Sequence, residues 1–175
     1  MRDGNNVTYS KPGIHYFGEA DNHQISERVQ LVKQAFEKAG INYEIPVDMM
    51  RMIWWKFMIN VGMNPTSAVM RAPYGLFRTS CEAMELMKAS MGEVISLAKA
   101  ENINLTEQDV QDWIAVLNSL SPDGKTSMLQ DLEAGLKTEV EIFCEKVVDL
   151  GKTHNIPTPV NQTLLRIVRV LEKKP

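Results

Sequence analysis

The hydrophobic rhythm of the chain changes once, near residue 48. Before that point apolar positions come in short runs. Val7 and Tyr9 alternate with polar neighbours, and Ile14, Tyr16 and Phe17 follow a Pro12-Gly13 turn signal, so residues 5–19 predict two short strands. Ser26 then opens a helix. Val29, Leu31, Val32, Ala35 and Phe36 give it an apolar stripe, and Gly40 stands where a left-handed residue ends it. Residues 41–47 (INYEIPV) predict one more short strand. A β-β-α-β stretch this small reads as the tail of an α/β domain whose beginning lies elsewhere.

From Asp48 onward the period is helical. Residues 48–70 predict a helix that Pro65 should end or kink. Met84, Met87, Met91, Ile95 and Ala98 recur every three or four positions and predict a helix over 79–101. Thr106 and Asp109 have capping-box spacing, and the helix they open runs through Trp113, Val116 and Leu117 to about Ser119. Ser121-Pro122-Asp123-Gly124 is a loop. A long helix is expected from about Ser127 to Gly151, then a break at Pro157 and Pro159, then a last helix over 160–173. The expected fold class is therefore mainly α, with five to seven helices and a small β-rich N-terminal appendage. Met58, Met63, Met84, Met87 and Met91 fall on helical spacings, which predicts core filling rather than a methionine-lined groove.

Composition narrows the function classes. A length of 175 residues fits one domain, or one domain plus a piece of another. With 44% apolar and 23% charged residues the chain is globular rather than disordered. A net charge of −3 supplies no basic field for phosphate backbones, so no nucleic-acid partner is expected. No apolar run approaches the roughly 20 residues of a membrane helix. The opening Met-Arg-Asp-Gly-Asn-Asn carries no apolar signal region, so the expectation is a cytoplasmic protein. Cys81 and Cys144 are then expected as reduced core residues, and His15, His23 and His154 lack metal-ligand spacing.

The chemistry lies in Trp54-Trp55-Lys56-Phe57-Met58-Ile59-Asn60-Val61-Gly62-Met63-Asn64-Pro65. Lys56, Asn60 and Asn64 are four apart, so at about 100° per residue they share an arc of about 80° on a helix. One ammonium and two amides thus line an otherwise apolar helix, where they are costly unless paired. The stripe reads either as a solvated face or as a site. As a site it is concrete: a lysine in an apolar wall is a candidate proton donor, and two amides can hold a carboxylate, hydroxyl or carbonyl. Gly124-Lys125-Thr126 lacks the upstream glycine of a phosphate loop, since position 119 is Ser119. Ser127 reads either as a hydroxyl that binds an anion or as a simple helix cap. Glu139, twelve residues on, lies about 18 Å away on a straight helix, so the two can meet one small ligand only if the chain bends.

Four motifs then occur in order: W-x-K-x-x-x-N-x-x-x-N-P (Trp54 to Pro65), S-M-L-Q-D (Ser127 to Asp131), T-E (Thr138-Glu139) and L-G-K-x-H-x-I-P-T-P (Leu150 to Pro159). Together they resemble the ketopantoate reductase (2-dehydropantoate 2-reductase) family, from about Val7 to Glu172. The resemblance implies that residues 1–47 end a Rossmann-like dinucleotide-binding domain. It implies that 48–175 form a helical substrate-binding and catalytic domain of the 6-phosphogluconate-dehydrogenase-like type. The implied reaction is NADPH-dependent reduction of ketopantoate to pantoate, on the route to pantothenate and coenzyme A. Lys56 matches the family's general acid, Asn60, Asn64 and Ser127 its substrate-binding residues, and Glu139 an acidic residue where cofactor and substrate meet.

Two departures stand out. No G-x-G-x-x-G follows a strand anywhere, so this chain alone is expected to hold NADPH poorly. Where the family carries a further substrate asparagine, this chain has Tyr74, which also admits another branched 2-keto acid. The implied partners are a small 2-keto acid and either a second copy of the chain or a missing Rossmann half. The alternative outside catalysis is a helical dimerisation or scaffold module.

Overall fold

The structure is a computed structural model, and it describes residues 2–3, 6–7 and 13–173. The chain divides into two compact units, Met1–Ile53 and Trp54–Pro175.

In the first unit, β1 (Arg2–Asp3) and β2 (Asn6–Val7) pair antiparallel. The predicted strand position Tyr9 lies outside the described residues. β3 (His15–Tyr16), α1 (Glu27–Ala39) and β4 (Tyr43–Glu44) follow, and β4 pairs parallel with β3, His15 opposite Tyr43. This is a βαβ crossover, because parallel neighbours need a helix-length connection. The Ser26 hydroxyl accepts from Val29 N, and Gly40 takes the left-handed conformation at φ 64°. Phe36 meets the rings of His15, Phe17 and Tyr43 edge-on, at 5.1–6.1 Å between centroids. The apolar stripe of α1 is otherwise uncovered: Val29 is buried, but Leu31 is 67% exposed and Val32 is exposed too. Ile14, Tyr16, Ile25 and Ile41 add to the apolar surface of this unit.

The second unit is helical. α2 (Met49–Met70) begins before the unit boundary. It is followed by α3 (Leu76–Thr79), α4 (Cys81–Ala100), α5 (Glu107–Ser119) and α6 (Ser127–Glu133). A π turn (Glu141–Glu145), α7 (Lys146–His154) and α8 (Pro159–Leu171) complete it. Met58, Met63, Met87 and Met91 are buried as predicted, with Phe77, Leu97 and Leu117 around them, and Met84 is half-buried. The capping box of α5 forms, with the Asp109 carboxylate accepting from Thr106 N at 2.8 Å. Among the described residues, no helix is long and apolar enough to cross a membrane.

Three expectations are corrected. Pro65 does not end α2, which continues to Met70. A proline removes the N–H that would bond the carbonyl four residues back, here Val61; Ser90 Oγ on α4 bonds that carbonyl instead, at 3.2 Å. Nor is 127–151 one helix. α6 stops after seven residues, Gly135 turns left-handed at φ 67°, and Leu136 N closes back on Asp131 O. Thr138 then starts a new N-terminus: its hydroxyl accepts from Val140 N, and its own N and Oγ1 donate to Glu172. Finally, Cys144 is buried but Cys81 is exposed.

Candidate functional site

Because α2 is unbroken, Lys56, Asn60 and Asn64 do share one helix face. The face is graded. Lys56 is exposed, Asn60 half-buried, and Asn64 only 7% exposed. Among the described residues the Lys56 ammonium meets no carboxylate, and neither amide has a hydrogen-bond partner. Asn64 is largely covered, yet its amide atoms are not among the buried unpartnered ones, so they remain open to water and available to a ligand.

Ser127 is the exposed first residue of α6. It does not cap the helix; Thr126 does, accepting from Leu129 N at 3.2 Å. Thr126 Oγ1 also donates to Ser67 Oγ at 3.2 Å, and Ser67 Oγ donates to Ala72 O at 2.7 Å. Ser67 lies one turn beyond Asn64, so this buried relay fixes the start of α6 beside the C-terminal part of α2. The structure therefore brings Ser127 to the same end of the helix as Asn64, with no hydrogen bond between them. Spacing alone did not reveal Thr126 and Ser67 as supports; a Ser/Thr just before an apolar helical run was the available signal.

Glu139 stands at the first turn of the π helix, its carbonyl accepting from Ile142 N at 3.0 Å and Phe143 N at 3.3 Å. Its side chain is exposed and makes no ion pair among the described residues. Single π turns inside helices recur at functional sites. The straight 18 Å separation from Ser127 does not apply, because the chain bends between them.

Tyr74 occupies the position where an asparagine was expected, and it is built into the scaffold. Tyr74 N donates to Gly124 O at 2.9 Å, and Gly75 N to Pro122 O at 2.8 Å. A Cβ at Gly124 would stand 2.9 Å from the Tyr74 ring. The ring thus presses on the loop that leads into Ser127, and burial pushes its phenol above the usual range. Lys125 is spent on both oxygens of Glu133, each at 2.8 Å. Two open grooves lie elsewhere. One of about 640 Å³ runs along Arg71, Pro73, Arg78 and Pro122, and one of about 430 Å³ is bounded by Val148, Ile156, Pro157 and Gln162.

A dinucleotide does not fit the one helix start of the βαβ unit. The space beside Gly18 is taken by the Asn22 side chain, 2.4 Å from where a Cβ would stand. Asn22 is buried, accepting from Glu19 N and donating to Pro46 O, both at 2.8 Å. The first turn carries Glu27, and beside it the Glu19 carboxylate accepts from Ser26 Oγ at 2.9 Å. The Arg28 guanidinium, then the Ser26 hydroxyl, hold that carboxyl below its usual range, so it stays charged. A helix N-terminus facing its own carboxylates repels a pyrophosphate rather than cradling it.

With this geometry, comparison with known proteins becomes informative. The model of the family described as "Ketopantoate reductase PanE/ApbA C terminal" matches residues 48–172. The 2-dehydropantoate 2-reductase of Archaeoglobus fulgidus is 30% identical over 172 residues, which is 98% of this chain and 57% of that protein. The chain spans about half the length of the curated relatives it matches. Among solved structures, a ketopantoate reductase from Ralstonia eutropha JMP134 superposes with a TM-score of 0.82 at 23% identity, over 94% of this chain and 53% of that one. D-mandelate dehydrogenase, solved with NADH and anilino(oxo)acetate, superposes at 0.82 with 20% identity, over 95% of this chain and 69% of that one. At these identities the two superpositions bear on the fold alone.

Proposed function

Since the chain belongs to the ketopantoate reductase family, as its C-terminal helical domain preceded by a short α/β stretch, we propose that it is the substrate half of a 2-keto acid reductase. The observation that carries this reading is the face of α2, where an unpaired ammonium and a nearly buried, unpartnered amide stand on one helix. Reduction of a ketone adds a hydride to the carbonyl carbon and a proton to the oxygen. Lys56 supplies the proton as general acid. Asn60 and Asn64 hold the substrate's oxygens, Ser127 reaches its carboxylate from the start of α6, and Glu139 faces the cofactor side.

The hydride donor, NADPH in the family's reaction, is not accommodated by the residues around Gly18 and Asn22, so no step is assigned to it on this chain. In this reading residues 1–47 are the tail of a dinucleotide-binding domain, residues 48–175 are the substrate domain, and the glycine loop comes from another polypeptide segment. The first unit supports that view. Parallel strands are ordinarily covered on both faces, yet β3 and β4 form a two-stranded sheet beside exposed Ile14, Leu31 and Val32. Unpaired strand edges invite further strands. The missing Rossmann half fits them, and a second copy of the chain is the competing occupant.

Ketopantoate is the first substrate to test. A branched 2-keto acid without its hydroxyl is the second, favoured by Tyr74, whose packing on Gly124 leaves no amide at that position. The experiment mixes the chain with a separately produced nucleotide-binding domain of a relative and follows NADPH absorbance with each acid. Turnover in the mixture and none from the chain alone is the expected result. Failure of the chain to bind either acid, measured by calorimetry, would leave the scaffold reading in its place.

A further inference from the structure

Asn60 precedes, and Asn64 lies within, the turn of α2 that the proline weakens, Val61 to Pro65. Pro65 leaves the Val61 carbonyl without its helical donor, and such a lesion ordinarily kinks a helix. Here the kink would fall inside the substrate stripe. The helix nevertheless runs on to Met70, and among the described residues the side chain that donates to this carbonyl is Ser90, whose hydroxyl lies 3.2 Å from it. Ser90 is fully buried on α4. Its hydroxyl also lies 3.0 Å from Asn161 Oδ1, but that oxygen has a second donor, the Cys144 thiol at 3.5 Å, which burial keeps protonated. No second side chain donates to Val61 O among the described residues, so the Ser90 proton is assigned to Val61. Ser90 is itself held. Asn161 Nδ2 donates to Ser90 O at 3.1 Å and to Glu93 Oε2 at 2.7 Å, and Glu93 accepts from Val160 N and Asn161 N at the start of α8. One residue further along α2, Thr66 returns its hydroxyl to the carbonyls of Gly62 and Met63.

We propose that Ser90 is a positioning residue: its hydroxyl stands in for the N–H that Pro65 lacks at the Val61 carbonyl, and so holds the turn that carries Asn64, just before the proline, in helical register with the turn that carries Asn60. The proposal rests on the substrate-binding role given above to those two asparagines. It makes a prediction that ordinary packing does not. Replacing the proline gives Val61 a backbone donor of its own, so Pro65→Ala should make Ser90 dispensable.

The test uses the full chain with Ser90→Ala, Pro65→Ala and the double variant. In the wild-type background Ser90→Ala leaves a buried acceptor unpaired and should raise the unfolding equilibrium constant about tenfold beyond its effect in the Pro65→Ala background. The side-chain amide resonances of Asn60 and Asn64 should move in Ser90→Ala and return in the double variant. Ketopantoate affinity, read by titration of the same resonances, should fall and recover with them. If Ser90→Ala does not fold, the double variant should. Equal damage in both backgrounds, or amide resonances that Ser90→Ala leaves in place, overturns the assignment. A wild-type chain that binds no keto acid removes the role of the asparagines, and with it the functional part of this one, while the stability coupling still reports on the helical splice.

Discussion

Gly62 sits between the two asparagines, and replacing it with alanine sets two effects of opposite sign against each other. Helix propensity alone favours alanine by about 1 kcal/mol. Packing opposes it. The new methyl carbon would stand 2.5 Å from both Cγ and Cε of Met91 and 3.1 Å from its sulfur. Met91 is fully buried among Met58, Met87 and Val94, so it cannot swing clear, and Cγ is near its root rather than its flexible end. Overpacking of a filled core costs about 1–3 kcal/mol. Any widening between α2 and α4 also stretches the Ser90–Val61 bond, already 3.2 Å long. We expect Gly62→Ala to destabilise the helical unit by up to about 2 kcal/mol net. Trp54, Trp55 and Trp113 all belong to that unit, so tryptophan fluorescence in urea reports it without interference from the first unit. The same scan should include Met91→Ala and the double variant. Met91→Ala alone leaves a cavity worth about 2–5 kcal/mol. In the double variant the methyl introduced at position 62 enters that space, so the combined loss should fall short of the sum by at least about 1 kcal/mol. A Gly62→Ala chain more stable than wild type, or strict additivity with Met91→Ala, would refute the close-contact argument and leave propensity in command.

Three further outcomes are expected. Burial pushes the Cys144 thiol up to about 12, so at mildly alkaline pH it stays protonated, and iodoacetamide should label only Cys81 in the folded chain, as read by peptide mass spectrometry. Labelling at Cys81 should itself be slow, because the hydrogen-bonded Glu85 carboxylate holds that thiol above its usual range. Thr126→Ala removes the cap of α6 and the relay to Ser67 together, and should lower the urea midpoint by the equivalent of about 1–2 kcal/mol. In a reconstituted reductase, Lys56→Ala should lower turnover roughly 10²–10⁴-fold while leaving keto acid affinity nearly unchanged; wild-type turnover in that variant would take Lys56 out of the chemistry.

How much of this was legible in the sequence depends on how local each cause is. Ser26 and Gly40 bracket α1 as expected, and Thr106 with Asp109 opens α5, because a cap is a contract between residues two to four apart. The methionine core follows from period alone. The break at 134–139 had a visible signal, Thr138 three residues before Glu141, but Leu129, Leu132 and Leu136 kept an apolar period running up to it. The stripe of α1 was read correctly as apolar and is nevertheless uncovered, since what covers a face is set by other segments. Pro65 shows the limit most clearly. Its own neighbourhood says that the helix should end or kink, and the side chain that bonds the carbonyl the proline leaves without an N–H is 29 positions away from that carbonyl, on another helix. The same holds for the candidate site. Four-residue spacing places Lys56, Asn60 and Asn64 on one face, but the gradient from exposed ammonium to nearly buried amide comes from helices packed around the far end of α2. In the proposed reading the gradient suits both roles: water reaches the lysine to restore its proton, while the amide of the largely covered Asn64 stands at the edge of the packed core. In that reading the polar stripe runs up to a proline, and Ser90, which bonds the carbonyl the proline leaves without its N–H, belongs to the same proposal as the three residues that the spacing picks out.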